Sequence, residues 1–157
     1  TCVTSRLKVR RAAHTDPTAP LVLDGNTLEL ESIRVDGELL GHNQYTERPG
    51  TLEIVVPGAA CEVEIRTVIR PSANHSGEGM FVLNGQIATQ CEAEGFRRLT
   101  YFPDRPDVLA TYTVRLVADR VRYPVLLSNG HLTASGSGAD GTHWAVWHDP
   151  HPKPSYI

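Results

Sequence analysis

The sequence predicts an all-β domain, built as an antiparallel β-sandwich or a layered, saddle-like sheet. Stretches of roughly five to eight residues alternate apolar and polar side chains, as half-buried strands do, and Gly, Pro, Asp-Gly and Asn-Gly turn signals separate them. No stretch repeats apolar residues at the spacing of an amphipathic helix. With 157 residues, the chain suits a single domain, 1–157, that can bury a hydrophobic core.

The first half of the chain contains the clearest strand pattern. At 61–69, apolar side chains and a threonine alternate with mostly charged ones, which indicates one buried face. The alternation at 28–35 shifts phase at Ser32, which indicates a β-bulge. Asp24-Gly25 and Asp36-Gly37 favour the left-handed geometry of tight turns. Further strands are predicted at 1–11, 21–23, 39–40 and 51–56.

The second half of the chain continues with shorter runs. Asn84-Gly85 and Asn129-Gly130 are turn signals, and the small residues at 135–141 suit a hairpin loop. Alternating patterns predict strands at 112–119 and 142–148, and short apolar runs predict strands at 81–83 and 125–127.

Composition and charge argue against several classes of partner. Acidic and basic residues are interspersed and the formal net charge is -3, which argues against nucleic acid and anionic membranes. No apolar run is long enough to cross a bilayer, and no signal peptide opens the chain. The three cysteines, Cys2, Cys61 and Cys91, form no disulfide framework and fit a reducing compartment. We therefore expect a cytoplasmic protein without nucleic-acid or membrane partners.

The residues that would form a catalytic centre are missing. A zinc peptidase uses two histidines one helical turn apart with a glutamate beside the first, and the sequence contains no His-Glu-x-x-His. Among the seven histidines only His148 and His151 lie close together, and Pro150 and Pro152 oppose a helical ligand pair there. Gly-x-Ser-x-Gly, a phosphate-binding loop and Cys-x-x-Cys are also absent. We expect neither a catalytic residue nor a metal site in this chain.

Segment 90–107 is the most unusual part of the sequence. It concentrates acidic residues, two adjacent arginines, aromatics and two prolines, without the period of a helix or a strand. Such polar density is typical of a shaped loop, and loops on a rigid β scaffold often carry binding residues. Glu92 and Glu94 precede Arg97 and Arg98, so local ion pairs are expected. A surface connection held only by its own salt bridges is the alternative.

The same segment carries a long and specific motif. It reads Gln-Cys-Glu-Ala-Glu-Gly-Phe-Arg-Arg at 90–98 and continues with Tyr101 and with Asp-Arg-Pro-Asp-Val-Leu-Ala at 104–110. Further matching positions are 123–130, His143-Trp144, Trp147, Asp149-Pro150 and 152–154. In order and spacing, these residues resemble the bacterial aminopeptidase N family of zinc metallopeptidases, over most of the chain after about residue 70 and more weakly before it. The resemblance is to the amino-terminal β domain of that family.

The resemblance implies roles for two residues of the segment. In aminopeptidase N relatives, the glutamate of Gln-Cys-Glu holds the free α-amino group of the substrate, and the glutamine lines the pocket for the first side chain. Carried over, Glu92 is the amine anchor and Gln90 a pocket wall. A carboxylate in a partly dry pocket pairs strongly with an ammonium group. Cys91 would then be a packing residue, and Glu94 and Arg97 would shape the loop.

The resemblance also implies what lies outside this chain. The full-length enzyme would remove N-terminal amino acids from peptides with zinc held by its catalytic domain, and the partners of this domain would be the peptide N-terminus and that catalytic domain. This chain would be a partial domain without its first strands and with open edges. We expect it alone neither to bind zinc specifically nor to cleave peptides. The alternative is a free-standing β-sandwich binding or scaffold module, which a stop codon soon after Ile157 would favour.

Overall fold

A computed structural model describes all residues from 1 to 157 and confirms the all-β class. Strands contain 50% of the residues and helices 4%, and all strand pairs are antiparallel. None of the helices has the length and apolar character that crossing a membrane requires. The chain divides into two compact units, Thr1–Arg105 with Tyr156–Ile157, and Pro106–Ser155. The division does not test the assignment of 1–157 to one domain, which stays a prediction.

The first unit contains nine strands in three sheets. The strands are β1 (Cys2–Arg10), β2 (Leu21–Asp24), β3 (Glu29–Val35), β4 (Glu38–Leu39), β5 (Tyr45–Arg48), β6 (Thr51–Ile54), β7 (Ala60–Val68), β8 (Gly79–Leu83) and β9 (Gln86–Gln90). One sheet has the order β1-β7-β3-β4 and a second the order β2-β6-β5, and β8 and β9 form a separate hairpin. Two short 3₁₀ helices lie at Pro71–Ala73 and Phe96–Arg98.

The core of the first unit lies between its two larger sheets. Inner faces that pack together in this way are typical of a β-sandwich. The strand predicted at 61–69 is confirmed, because Val63, Ile65 and Thr67 of β7 are fully buried between more exposed neighbours. The buried residues of the core cluster are Leu23, Ile33, Val35, Leu52, Ile54, Val63, Ile65 and Tyr101.

Local turn chemistry predicted one of the two Asp-Gly turns correctly. Asp36 and Gly37 have φ of 50° and 87° and join β3 to β4 as expected. The left-handed turn predicted at Asp24-Gly25 is wrong, because neither residue has a positive φ. Gly25 instead lies against the Tyr101 ring, where an added Cβ would come 2.1 Å from Cε1. The bulge predicted near Ser32 is confirmed by a register shift between β3 and β7.

The second unit is a three-stranded sheet with β12 in the centre. Its strands are β10 (Ala110–Asp119), β11 (His131–Ser137) and β12 (Thr142–Lys153), in the order β10-β12-β11. The alternation predicted at 112–119 is confirmed by alternating exposure along β10. The hairpin loop predicted at 135–141 is too long, because β11 continues to Ser137.

The strand predicted at 125–127 is wrong. Val125 and Leu127 are 68% and 70% exposed, and this segment pairs with no strand. One of its carbonyls is held by a side chain of β12 instead, since Trp147 Nε1 donates a hydrogen bond of 3.2 Å to the Leu126 carbonyl. A short apolar run does not specify a strand where side chains satisfy the backbone in this way.

Candidate functional site

Gln90 and Glu92 lie where the β8–β9 hairpin ends. Gln90 is the last residue of β9 and pairs with Gly79 across the hairpin. The Gly95 N–H donates a hydrogen bond of 2.8 Å to the Cys91 carbonyl, which closes a turn over 91–95. We call residues 91–95 the site turn. Glu92 is therefore held within a closed turn, whose peptide bond between Glu92 and Ala93 is cis.

The site turn packs directly on the backbone of the hairpin. A Cβ added to Gly95 would lie 2.4 Å from the Gln90 carbonyl oxygen and 2.9 Å from the Gly79 nitrogen. Gly79 has a φ of 74°, and its own Cβ would lie 2.6 Å from Arg98 Cβ. Both glycines are needed for this approach, Gly95 for space and Gly79 for space and backbone conformation. The contact holds the end of the site turn against the end of β9.

An ion pair between Arg97 and Asp104 holds the segment after the site turn. The backbone N–H and the Nε of Arg97 donate to Asp104 Oδ2 over 3.1 and 3.0 Å, and its Nη2 donates to the Asp104 carbonyl over 2.8 Å. The Asp104 side chain is only 1% exposed. Burial opposes the charge of Arg97, but the hydrogen bond to Asp104 and the nearby carboxylates outweigh it and raise the Arg97 pKa.

Backbone hydrogen bonds attach this segment to the end of β2. Asp24 and Phe102 exchange backbone hydrogen bonds of 2.8 and 3.1 Å, and the Asn26 N–H donates to the Arg97 carbonyl over 2.9 Å. The Asp104 N–H donates to Asp24 Oδ2 over 3.0 Å. These hydrogen bonds therefore join residues 97–104 to the sheet that contains β2.

Glu92 differs from every other charged residue of 90–107. Glu94 pairs with Arg97 over 3.4 Å, as expected, whereas Arg98 pairs with Glu78 over 3.4 Å and with neither predicted glutamate. Glu92 is exposed and makes no hydrogen bond or ion pair within the chain. The side chain of Gln90 is likewise exposed and without an internal partner. Glu92 can therefore accept hydrogen bonds from a bound cation without breaking an internal contact.

Cys91 separates these two polar residues and is partly buried. Burial and, to a smaller extent, the charge of Asp104 raise the pKa of its thiol to about 11. A thiol with this pKa stays protonated at neutral pH and is a poor nucleophile. This agrees with the expected packing role.

Metal-ligating side chains do not gather at the site turn or elsewhere. No three His, Cys, Asp or Glu side chains come together in an arrangement that could hold a metal ion. His148 lies across the sheet from His131, with ring centroids 5.8 Å apart, and its Nδ1 lies 2.9 Å from Thr113 Oγ1.

Sequence reasoning missed three acidic residues that build the site. The motif includes Asp104 without indicating its partner, and no sequence pattern places Asp24 or Glu78 near it. Asp24 is 80 positions from Asp104, so no local spacing could have paired them. Gly95 is the one sequence signal of this packing, since a glycine inside a charged run often marks a close approach of two backbone segments.

Similarity to known proteins extends over nearly the whole chain. The Peptidase M1 N-terminal domain family model matches residues 6–157. Aminopeptidase N of Caulobacter vibrioides is 46% identical over 157 residues, which is 100% of this chain and 18% of that protein. Aminopeptidase N of Escherichia coli is 42% identical over 144 residues, which is 92% of this chain and 16% of that protein. The chain thus spans less than a fifth of the length of these relatives.

Solved structures share the same fold. Legionella pneumophila aminopeptidase A, in complex with aspartic acid, has a TM-score of 0.93 and 35% identity, covering 99% of this chain and 18% of its own. A mutant M1 zinc metallopeptidase from Deinococcus radiodurans, bound to a Tyr-Ser-Ala substrate, has a TM-score of 0.76 and 19% identity, covering 99% and 36%. The second of these likenesses shows the fold alone. With the family model matched over residues 6–157, the chain belongs to the Peptidase M1 N-terminal domain family.

Proposed function

We propose that this chain supplies substrate recognition to a zinc aminopeptidase, in which Glu92 binds the free α-amino group of the peptide. Gln90 would form part of the pocket for the first side chain. The observation that carries this proposal is the exposed, unpaired carboxylate of Glu92 on a turn that is otherwise fixed by packing and ion pairs. Relatives named aminopeptidase N support the class of substrate.

Recognition of the amino end depends on the strength of the ion pair and on the entropy lost when the site is ordered. Hydrogen bonds between an ammonium group and a carboxylate are stronger than neutral ones, and they require a free amino end. Because the site turn is closed by the Gly95–Cys91 hydrogen bond and packed on Gln90, little entropy is lost when substrate binds. A peptide with a blocked amino end would lose this interaction and would be rejected.

The test uses Glu92→Ala and Glu92→Gln in the full-length enzyme with an amino-acid anilide as substrate. Both variants should lose about 2–4 kcal/mol of transition-state stabilisation, which is roughly a 30- to 900-fold loss in kcat/KM. Zinc content should stay unchanged. Glu38→Gln, which removes an exposed carboxylate from β4, is the matched control and should leave the kinetics unchanged. Wild-type kinetics in both Glu92 variants would contradict the proposal.

We further propose that zinc is bound outside this chain, in the catalytic domain of the full-length enzyme. The residues present do not fit a zinc site, since they form no group of three potential ligands. When bound, zinc would polarise the scissile carbonyl and activate water. Purified chain 1–157 should therefore show no specific zinc binding and no aminopeptidase activity. Robust zinc-dependent cleavage by this chain alone would contradict the assignment.

The β8–β9 hairpin supports a contact with that catalytic domain. Val82 and Ile87 are paired across the hairpin and each is 40% exposed, and Leu83 is 58% exposed. A two-stranded hairpin is only marginally stable by itself. Clusters of exposed apolar residues mark protein–protein interaction surfaces. Val82→Ser with Ile87→Ser should lower the thermal midpoint of the full-length enzyme more than the exposed control Val125→Ser. Equal midpoints in the two variants would exclude this contact.

A cytoplasmic location is part of the same proposal. The three cysteines are free, which fits a reducing compartment. Cell fractionation of the native host should recover the protein with cytoplasmic markers, and recovery with envelope fractions would contradict this location.

A further inference from the structure

We propose that Arg97 and Asp104 are positioning residues for the amine site, an inference that rests on the proposed role of Glu92. Neither residue is expected to touch the substrate. Their function is to hold the site turn, and with it the Glu92 carboxylate, in the orientation that an ammonium group requires. A carboxylate displaced by about 1 Å can cost on the order of 10²-fold in rate.

Little hydrophobic packing holds the middle of the site turn. Glu92, Ala93 and Glu94 are all exposed, and Cys91, at the start of the turn, is partly buried. At the end of the turn, Gly95 contacts the backbone of the hairpin. The residues between these two ends are held by the ion pair of Glu94 with Arg97. The orientation of Glu92 therefore depends on where Arg97 is held.

Arg97 is held by a partner that has almost no freedom. The Asp104 side chain is 1% exposed, and its Oδ2 accepts from both the backbone N–H and the Nε of Arg97. The remaining nitrogens extend in two directions, since Nη2 reaches the Asp104 carbonyl and Nη1 reaches Glu94. Only a planar guanidinium can make these contacts at once, because an ammonium group has no such fork.

Asp104 in turn is fixed to the core of the sandwich. Its N–H donates to Asp24 Oδ2, and Asp24 is the last residue of β2. A continuous chain of contacts thus runs from β2 through Asp104 and Arg97 to Glu94, two residues from Glu92. Surface pairs such as Arg66–Glu31 differ, because they join the strands β7 and β3, which backbone hydrogen bonds already hold.

The experiment compares two competitive inhibitors on the full-length enzyme, one with a free α-amino group and its des-amino analogue. In Arg97→Ala, affinity for the amine-bearing inhibitor should fall on the order of 10²-fold, while affinity for the des-amino analogue stays unchanged. Arg97→Lys should not restore it, because lysine lacks the fork. Asp104→Asn should show the same selective loss in weaker form. Arg66→Ala is the matched control and should bind both inhibitors as wild type does.

A double-mutant cycle separates this inference from the function on which it rests. If Arg97 acts through Glu92, then Arg97→Ala combined with Glu92→Gln should bind the amine-bearing inhibitor no more weakly than Glu92→Gln alone. A selective loss in Glu92→Gln, with wild-type affinity in a folded Arg97→Ala, would overturn the positioning role and leave the amine anchor intact. Equal loss of both inhibitors in the Arg97 variants would also overturn it. No loss in Glu92→Gln would overturn both proposals.

Discussion

Asp24 and Asp104, which are 80 positions apart, meet in a hydrogen bond of 3.0 Å from the Asp104 N–H to Asp24 Oδ2. The Arg97 guanidinium lies near the side chains of both residues. Burial disfavours that guanidinium, yet the hydrogen bond to Asp104 and the charges of Asp24, Asp104 and Glu94 raise its pKa. The arginine therefore stays charged, and it compensates acidic groups from two distant parts of the chain.

Breaking this pair should cost more than breaking a pair on the surface. Asp104→Ala leaves the partly buried Arg97 without its main partner, so the free energy of unfolding should fall by about 3 kcal/mol. The matched control Glu31→Ala, which removes the exposed partner of Arg66, should lower it by at most about 1 kcal/mol. Urea unfolding followed by circular dichroism measures both. Equal losses in the two variants would show that the loop pair is no stronger than a surface pair.

Gly95 should tolerate no side chain, although its backbone φ of -79° would accept one. The added methyl group of Gly95→Ala would lie 2.4 Å from the Gln90 carbonyl oxygen, so the site turn must move away from the hairpin. The free energy of unfolding should fall by about 1–3 kcal/mol. Gly41→Ala is the control, since its nearest neighbour is the side-chain oxygen of Asn43 at 3.1 Å. A loss in Gly95→Ala no larger than in Gly41→Ala would contradict the close packing.

Much of the fold could be predicted because strand burial follows the local period. The pattern at 61–69 predicted β7, since residues that alternate in sequence also alternate between the two faces of a sheet. The left-handed turn predicted at Asp24-Gly25 is wrong because Gly25 instead allows a close approach of the Tyr101 ring, which lies far away in sequence. β5 went unpredicted because most of its residues are exposed and show no apolar alternation.

The candidate site could be predicted only where partners are near in sequence. The ion pair of Glu94 with Arg97 follows from their spacing, and it was expected. Spacing alone could not decide whether Glu92 also pairs with an arginine, because Arg98 turns to Glu78 in the hairpin. The free carboxylate of Glu92 is therefore a property of the folded chain.

The thiol of Cys91 should react slowly and with a steep dependence on pH. Its pKa of about 11 means that the reactive thiolate is scarce at pH 8. Labelling with iodoacetamide, followed by mass spectrometry, should modify the exposed Cys2 first, and the rate at Cys91 should rise about tenfold per pH unit between about pH 8 and 10. In urea the two cysteines should react alike. A rate at Cys91 that levels off near pH 9 would contradict the raised pKa.

The hydroxyl of Tyr101 should stabilise the protein in a manner that depends on pH. It donates a hydrogen bond of 2.7 Å to Glu47, and burial, followed by this bond, raises its pKa above the ordinary 10.0. Tyr101→Phe should lower the free energy of unfolding by about 1 kcal/mol at pH 8. Above about pH 10 the unfolded chain loses this proton while the folded chain retains it, so wild type loses stability that the variant does not lose. Urea unfolding at pH 8 and 10.5 should therefore show the difference between wild type and Tyr101→Phe shrinking at the higher pH. Tyr45→Phe, which removes a more exposed hydroxyl, is the control for the loss at pH 8, and a pH-independent difference for Tyr101→Phe would contradict its raised pKa.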